Sequence, residues 1–359
     1  MTSPKKLWDT HTMLPQFRAD TADAIWRQAA DTLLHGNSVH QQDSRLGYTR
    51  ELLHCTFHLT NPRQRWVFSR TPALNPAFAI AEVVWILQGR DDAAFLQFWN
   101  PALPRFVGRS EKLNGAYGQR LLKNLKFDQL EGAWRALSNN PDSRQVVLQI
   151  WDGNRDFPNS DGSARDPDIP CNVCAMPKVR EGCLEWLQVM RSNDLFLGTP
   201  HNFVQFTVLQ EVLAGWLGLE LGHYVQISDS LHLYESDLRT MSVTLAPLTE
   251  QSVESLALPK SEFDEMIIAL GASMDALRDP ALTREGLREM IERPALPNAW
   301  ANMLRIAAAD SARRRGWIDE IAAASSACTN GALTAMWIAW ENRMSKTGSR
   351  LSEMKAVTP

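Results

Sequence analysis

The sequence predicts an α+β fold, with strands clustered in the middle of the chain, helices around them and a purely helical region toward the C-terminus. Three observations carry this. Alternating or β-rich stretches recur at 48–70, 144–152, 172–179, 183–192 and 222–234. Two nearly all-apolar segments, 75–89 and 202–219, have helix length and helix signals. Beyond residue 245 every periodic segment is helical and the segments are split by prolines.

Taken in order, residues 20–36 ("DTADAIWRQAADTLLHG") read as a helix with an Asp or Thr start and a Gly stop. The stretch 48–70 alternates as strands do. In 75–89 ("NPAFAIAEVVWILQG") Asn-Pro opens a helix and Gly89 closes it. Glu82 stands in its middle among Ile80, Val83, Val84, Trp85 and Ile86, where a carboxylate is costly unless partnered or working. A strand over 144–152, a polar loop over 153–168 and two strands, "NVCAMPKV" and "CLEWLQVMRS", come next. Helix 202–219 and strand 222–234 close this part. The segments 261–280, 283–294 and 330–346 then read as helices. The reading divides the chain near 245 into a first domain (1–245) and a helical C-terminal extension (246–359) without a motif of its own.

Composition narrows the function. A hydrophobic content of 44% with 22% charged residues is an ordinary globular balance. A formal net charge of −4 argues against a broad nucleic-acid-binding surface while leaving room for a local basic pocket. No apolar run approaches the roughly 18 to 20 residues of a membrane span, and the opening residues carry lysines without an apolar core, unlike a secretory signal. Five cysteines, an odd number, argue against a disulfide framework, so a reduced cytoplasmic setting is expected.

Cys171 and Cys174 form a C-x-x-C within "DPDIPCNVCAMP". A zinc site needs about four ligands, and only Cys183 offers a third. A redox pair wants a following helix, whereas a strand-like stretch with Pro177 follows. Two packed structural cysteines, or one nucleophile with an idle neighbour, remain. Further on, "MRSNDLFLGTPHNF" offers Arg191 and Ser192 as an oxyanion pair; Gly198, Thr199 and Pro200 read as a turn, with Asn202 opening the helix. His232 and Tyr234 stand two apart on a strand, so their side chains share a face. Arg45 and Arg144 each follow Asp-Ser.

These residues together resemble the thymidylate synthase family over roughly residues 20 to 240. "EVVWILQG" resembles the family's E-L-L-W-F-L-Q-G helix, "LNGAYGQRL" its G-P-x-Y-G-x-Q-W segment, "PDSRQVV" its D-S-R-R and "IPCN" its P-C-H. "RSNDLFLGTPHN" resembles R-S-x-D-x-x-L-G-x-P-F-N, and "DSLHLY" resembles D-A-H-I-Y. Cys171 and Arg191 also keep the family's spacing of twenty residues.

The resemblance implies a thymidylate synthase-like fold with a large mixed β-sheet flanked by helices, pairing back to back as a homodimer. It implies that 5,10-methylenetetrahydrofolate, without a metal, gives a one-carbon unit to carbon 5 of a pyrimidine nucleoside 5′-monophosphate. Cys171 matches the nucleophile, a thiolate whose addition at carbon 6 makes carbon 5 nucleophilic; Cys174 is then a packed bystander. Arg45, Arg191 and Ser192 match the phosphate ligands, and Arg144 the one reaching across the dimer. Glu82 and Tyr117 match the proton-transfer groups, Asn202 the reader of the base, and His232 and Tyr234 the ribose ligands. Asp194, with Gly198, matches the pterin contact. No membrane and no nucleic acid are expected as partners.

Departures from the family pattern sharpen the expectation. Asn202 favours uracil, since relatives acting on cytosine carry Asp there. His201 replaces a Phe, Asn172 a His, and Gln145 the second arginine of D-S-R-R. Leu103 stands fourteen residues before Tyr117, where synthases place a tryptophan, and the closing tail of synthases is not recognisable. Methyl transfer requires keeping water from an exocyclic methylene intermediate, so the expected product is 5-hydroxymethyl-dUMP. The alternatives are a true thymidylate synthase, a dCMP or CMP hydroxymethylase, and an inactive member that binds nucleotide or RNA.

Overall fold

The computed structural model describes residues 14–36, 39–44, 47–124, 126–243 and 254–356, with side chains described as far as 345. Its strands are β1 (Gln16–Ala19), β2 (His40–Gln42), β3 (Thr49–Leu59), β4 (Arg70–Thr71), β5 (Leu148–Gln149), β6 (Asn172–Arg180), β7 (Cys183–Met190), β8 (Asn193–Asp194), β9 (Glu220–Tyr234) and β10 (Ser242–Val243). The helices of the first part are α1 (Ala22–His35), α2 (Pro76–Leu87), α3 (Ala93–Trp99), α4 (Pro104–Val107), α5 (Tyr117–Leu122), α6 (Gln129–Asn139), α7 (Gly153–Asp156), α8 (Gly198–Leu217) and α9 (Glu235–Leu238). Those of the second part are α10 (Lys260–Arg278), α11 (Arg284–Glu292), α12 (Asn298–Arg315), α13 (Ile318–Ala327) and α14 (Gly331–Ala356).

Among the described residues an eight-stranded mixed sheet runs β1-β3-β9-β7-β6-β5, with β2 against β3 and β8 against β9. The long central strands β3 and β9 are antiparallel, and β9 lies parallel to β7. One face, carrying Phe57, Trp186 and Tyr224, is buried. The other carries rows of half-exposed apolar residues: Met176, Leu187 and Val225 lie side by side across three strands, and Val189 and Ile227 form the next row. No helix among the described residues is long and apolar enough to cross a membrane.

Helix α2 is built as its sequence dictates. Asn75 caps it by accepting from the amides of Ala77 and Phe78 at 3.0 and 3.2 Å, and Gly89 leaves it at φ +60°. Every α2 residue except Glu82 is buried, each large one contributing about 1.5–3 kcal/mol. That is possible because α3, α5 and α8 pack on it from the first part and α10, α12 and α14 from the second. Gly118 of α5 lies so close to α2 that an added Cβ would sit 2.2 Å from the Ile86 carbonyl oxygen. This contact brings the neighbouring Tyr117 beside Glu82.

Polar contacts bind the two parts of the chain. Arg90 pairs with Asp275 at 2.9 Å, Arg314 donates to the Trp99 carbonyl at 2.6 Å, and Arg343 donates to the Ala73 carbonyl at 2.7 Å. The division expected near 245 falls within 244–253, outside the described residues.

Three sequence expectations need correction. The strand expected over 144–152 pairs only at Leu148 and Gln149, because Ile150 and Trp151 both donate to the Val173 carbonyl and end the ladder. The helix expected from 202 begins at Gly198: Asp194 accepts from the amides of Phe196 and Leu197, and Pro200 falls in the first turn, where no amide is needed. Asn202 is therefore inside the helix and does not cap it. Helices α12 and α13 were not read from the sequence at all.

Candidate active site

A cavity of about 680 Å³ opens between α2, the start of α8, α4 and the 153–168 loop. This is within the few hundred to about 1,000 Å³ usual for ligand sites. Its wall includes Cys171, Glu82, Tyr117, Arg191, Ser192, Asp194, Gly198, Asn202 and Tyr234, so most of the residues singled out by the sequence are brought together.

Cys171 immediately precedes β6, is half-buried and is in no disulfide. Its carbonyl accepts from the Arg191 amide at 3.0 Å, while the Arg191 side chain donates to the carbonyls of Pro170 and Ile169 at 3.0 and 3.2 Å. The guanidinium also lies 5.3 Å from the Trp151 ring centre. One arginine side chain thus fixes the loop that presents the thiol. Cys174 is half-buried in β6, and burial raises its thiol pKa.

Tyr117 faces the same cavity. Burial, then the neighbouring Cys171 charge, push its phenol well above the ordinary range, so it stays protonated. Beside it the Nδ2 of fully buried Asn172 makes no well-formed hydrogen bond among the described residues, while its Oδ1 accepts from Gln188 at 3.0 Å. On α2, Glu82 Oε2 lies 2.6 Å from His201 Nδ1 on α8. The contact is an ion pair by distance, yet neither atom has hydrogen-bond geometry.

Asn202 belongs to a buried polar chain. Its Nδ2 donates to Asn193 Oδ1 at 3.2 Å, and Asn193 Nδ2 donates in turn to Ser228 at 3.0 Å. The Thr199 hydroxyl reaches the same Asn193 oxygen at 2.9 Å. This arrangement commits one amide hydrogen of Asn202 and leaves its carbonyl oxygen as an acceptor at the cavity wall. Asp194 Oδ1 accepts from the amides of Phe196 and Leu197, in the turn that leads into α8, at 2.8 and 2.9 Å, and burial raises its pKa.

The remaining predicted residues are placed differently. Tyr234 lines the cavity; His232, nearly buried, is not on its wall, the two ring centres lying 5.2 Å apart and its strand register opposite Asp194. Arg144 is exposed and is not on the cavity wall of its own chain. Arg45 lies outside the described residues.

Several wall residues were not foreseen. Arg70, buried, donates to the Phe196 carbonyl at 2.6 Å and covers the Phe196 ring at 3.9 Å. Burial, with Arg343 repulsion next, lowers its pKa to about 10. Nearby Asp237 is raised to about 6 by burial and the Asp194 charge. Asp168 accepts from the Gly115 amide at 2.7 Å. Buried Gln205, one turn beyond His201, lines the cavity, and its buried Oε1 has no hydrogen-bond partner among the described residues. An isolated Arg or Gln inside apolar sequence was the available signal. The far wall is apolar, with Trp85, Leu96, Leu103, Phe106 and Val107.

Comparison with known proteins places these features. The family model described as Thymidylate synthase matches residues 30–269. A Deoxyuridylate hydroxymethyltransferase of Bacillus phage SP01 is 36% identical over 199 residues, covering 52% of this chain and 51% of that protein. Another, of Pseudomonas phage M6, is 32% identical over 191 residues, covering 53% and 52%. A Thymidylate synthase of Clostridium beijerinckii is 30% identical over 169 residues, covering 46% and 60%. The chain thus spans about half the length of the phage relatives it matches.

Proposed function

The chain belongs to the thymidylate synthase family, and on that premise we propose that it hydroxymethylates carbon 5 of dUMP. The family's co-substrate is methylenetetrahydrofolate, which supplies the one-carbon unit when bound. The residues present suit it: an apolar wall of Trp85, Leu103, Phe106 and Val107 matches a flat ring, and Asp194 uses Oδ1 on the turn amides and leaves Oδ2 outside that contact. The observation that carries the hydroxymethyl product is Leu103, a cavity-wall residue standing where synthases place a tryptophan. The smaller side chain leaves space for water at the reacting carbon, and the hydroxymethyltransferase names of the phage relatives agree with this reading.

In the proposed reaction Cys171 adds to carbon 6, with Arg191 stabilising the thiolate. Arg45, Arg191, Ser192 and Arg144 of the partner subunit hold the phosphate, and His232 and Tyr234 hold the ribose. Glu82 moves protons at the base. Tyr117, kept protonated by burial, orients the water that removes the carbon 5 proton and does not take that proton itself. The test is product identification by mass spectrometry after incubation with methylenetetrahydrofolate and, separately, dUMP, dCMP, UMP and CMP. A hydroxymethylated dUMP with tetrahydrofolate unoxidised is expected. A 5-methyl product with dihydrofolate would instead make the chain a synthase, and no product from any of the four would favour a binding role.

Base choice rests on Asn202. Its free carbonyl oxygen suits the N3–H of uracil, whereas cytosine offers an unprotonated N3, acceptor against acceptor. Turning the amide to suit cytosine would set its oxygen against Asn193 Oδ1. Asn202→Asp removes the donor to a uracil carbonyl and supplies an acceptor for the exocyclic amine of cytosine, and is expected to move the dUMP-to-dCMP ratio of kcat/KM toward dCMP by about 100-fold; steady-state rates on both nucleotides check this, and an unchanged ratio would remove Asn202 as the reader.

The apolar rows of Met176, Leu187, Val189, Val225 and Ile227 support back-to-back pairing of two copies. Such rows are rarely left to solvent. Ile227→Asp is expected to yield a monomer in light scattering with much reduced turnover, because Arg144 would no longer reach a second site. A monomeric wild type with full activity would rule the dimer out.

A further inference from the structure

On the cavity wall stand three polar side chains from two packed helices, each with an atom that makes no hydrogen bond among the described residues. Glu82 of α2 and His201 of α8 approach to 2.6 Å without hydrogen-bond geometry, and their side chains are only 17% and 14% exposed. Gln205 follows His201 by one helical turn, is 5% exposed, and its Oε1 has no hydrogen-bond partner among the described residues. Phe78 holds the His201 ring edge-on at 5.1 Å. All four line the cavity that contains Cys171. A buried acceptor left unmade costs about 1–3 kcal/mol, and a water satisfying such groups needs two to four polar partners.

We propose that Glu82, His201 and Gln205 seat the water that adds to the exocyclic methylene of the nucleotide. The inference deepens the proposed hydroxymethylation and rests on it. The water gives one hydrogen to the Glu82 carboxylate and the other to Gln205 Oε1, which points a lone pair at the methylene carbon. His201 is a positioning residue: its Nδ1 keeps the Glu82 carboxylate turned toward that water. As the new C–O bond forms, the methylene π pair moves into the ring to give an enolate, and the water proton passes to Glu82. The enolate then re-forms the C5–C6 double bond and expels the Cys171 thiolate. No electron leaves or enters, so no oxidant or reductant is consumed. The phenylalanine of the synthase motif at the His201 position would make no polar contact with Glu82 or with such a water.

The test compares wild type, His201→Phe and Gln205→Leu on dUMP tritiated at carbon 5, with methylenetetrahydrofolate in H₂¹⁸O and 2-mercaptoethanol. Tritium release counts formation of the methylene. Its fate is read as ¹⁸O-labelled hydroxymethyl product or as the thioether formed when the thiol captures it. Both variants are expected to lose about 10- to 100-fold in hydroxymethyl product per tritium released, with thioether rising in its place. Because the readout is a ratio, a partly folded variant does not disturb it. An unchanged ratio in both variants, with wild type hydroxymethylating, overturns the water seat alone. A wild type that makes only 5-methyl product overturns the hydroxymethylase reading itself.

Discussion

Cys171→Ser is expected to lower release of the carbon 5 proton by about four orders of magnitude or more, since every later step depends on the covalent adduct. A serine hydroxyl keeps the shape and the loop contacts made by the backbone of Cys171, so the fold should be unchanged. Its alkoxide is inaccessible at neutral pH, and the field of Arg191, adequate for a thiol, cannot make up that difference. Tritium release measures the effect. A second readout is covalent capture: 5-fluoro-dUMP with methylenetetrahydrofolate should leave a stable adduct on wild type, because fluorine cannot depart as a cation, and none on the variant. A variant that keeps release within about tenfold of wild type would sink the nucleophile assignment.

The largest stability effect is expected at Asp156. Arg120 and Asp156 are both fully buried side chains joined by two parallel hydrogen bonds of 2.7 and 2.8 Å. Arg120 also donates to the carbonyls of Asn114 and Ile150 at 2.8 and 3.1 Å, and Asp156 accepts from the Asp152 amide at 2.8 Å. The pair therefore fastens the 153–168 loop to the segment that carries Tyr117. Asp156→Ala leaves a guanidinium buried without its counter-charge, at a cost of about 3–5 kcal/mol. Urea unfolding should show the midpoint falling at nearly constant slope, and a loss under about 1 kcal/mol would mean that water reaches Arg120. Burial alone would raise the Asp156 pKa, but the Arg120 hydrogen bonds outweigh it and the net shift is downward from 3.8. The contribution of the pair is thus complete above that value and is lost only as pH falls below it, through the folded-state pKa.

Legibility in the sequence followed the range of the interactions. Helix α2 was readable end to end because Asn75, Pro76 and Gly89 act on their immediate neighbours. The cavity residues around Cys171 and Arg191 were readable through the short motifs that resemble the thymidylate synthase family. What could not be read depends on distant partners. The approach of His201 to Glu82 exists only once α8 packs on α2, and the unbonded oxygen of Gln205 only once its surroundings close. Helix α8 starts four residues ahead of the expected Asn202, after a turn held by the Asp194 carboxylate. Helix α12 is rich in alanine with buried Asn302, Asp310 and Ser311, so its apolar face is blurred; its polar side chains are matched by Arg305, Arg313, Arg314 and Arg315.

Helix α2 is enclosed on all sides, with the cavity on one flank and α10, α12 and α14 on another. A helix held this way has almost no freedom to vary. A volume change at Ile80 or Val84 must be absorbed by a packed neighbour, and any shift it causes moves Glu82 relative to the substrate. Saturation mutagenesis should accordingly find α2 among the least tolerant segments of the chain. The exposed faces of α11 and α13 should accept change freely. Directed evolution of base or product preference would then have to work through α8 and the loops, with the carboxylate helix serving as the invariant datum against which they are tuned.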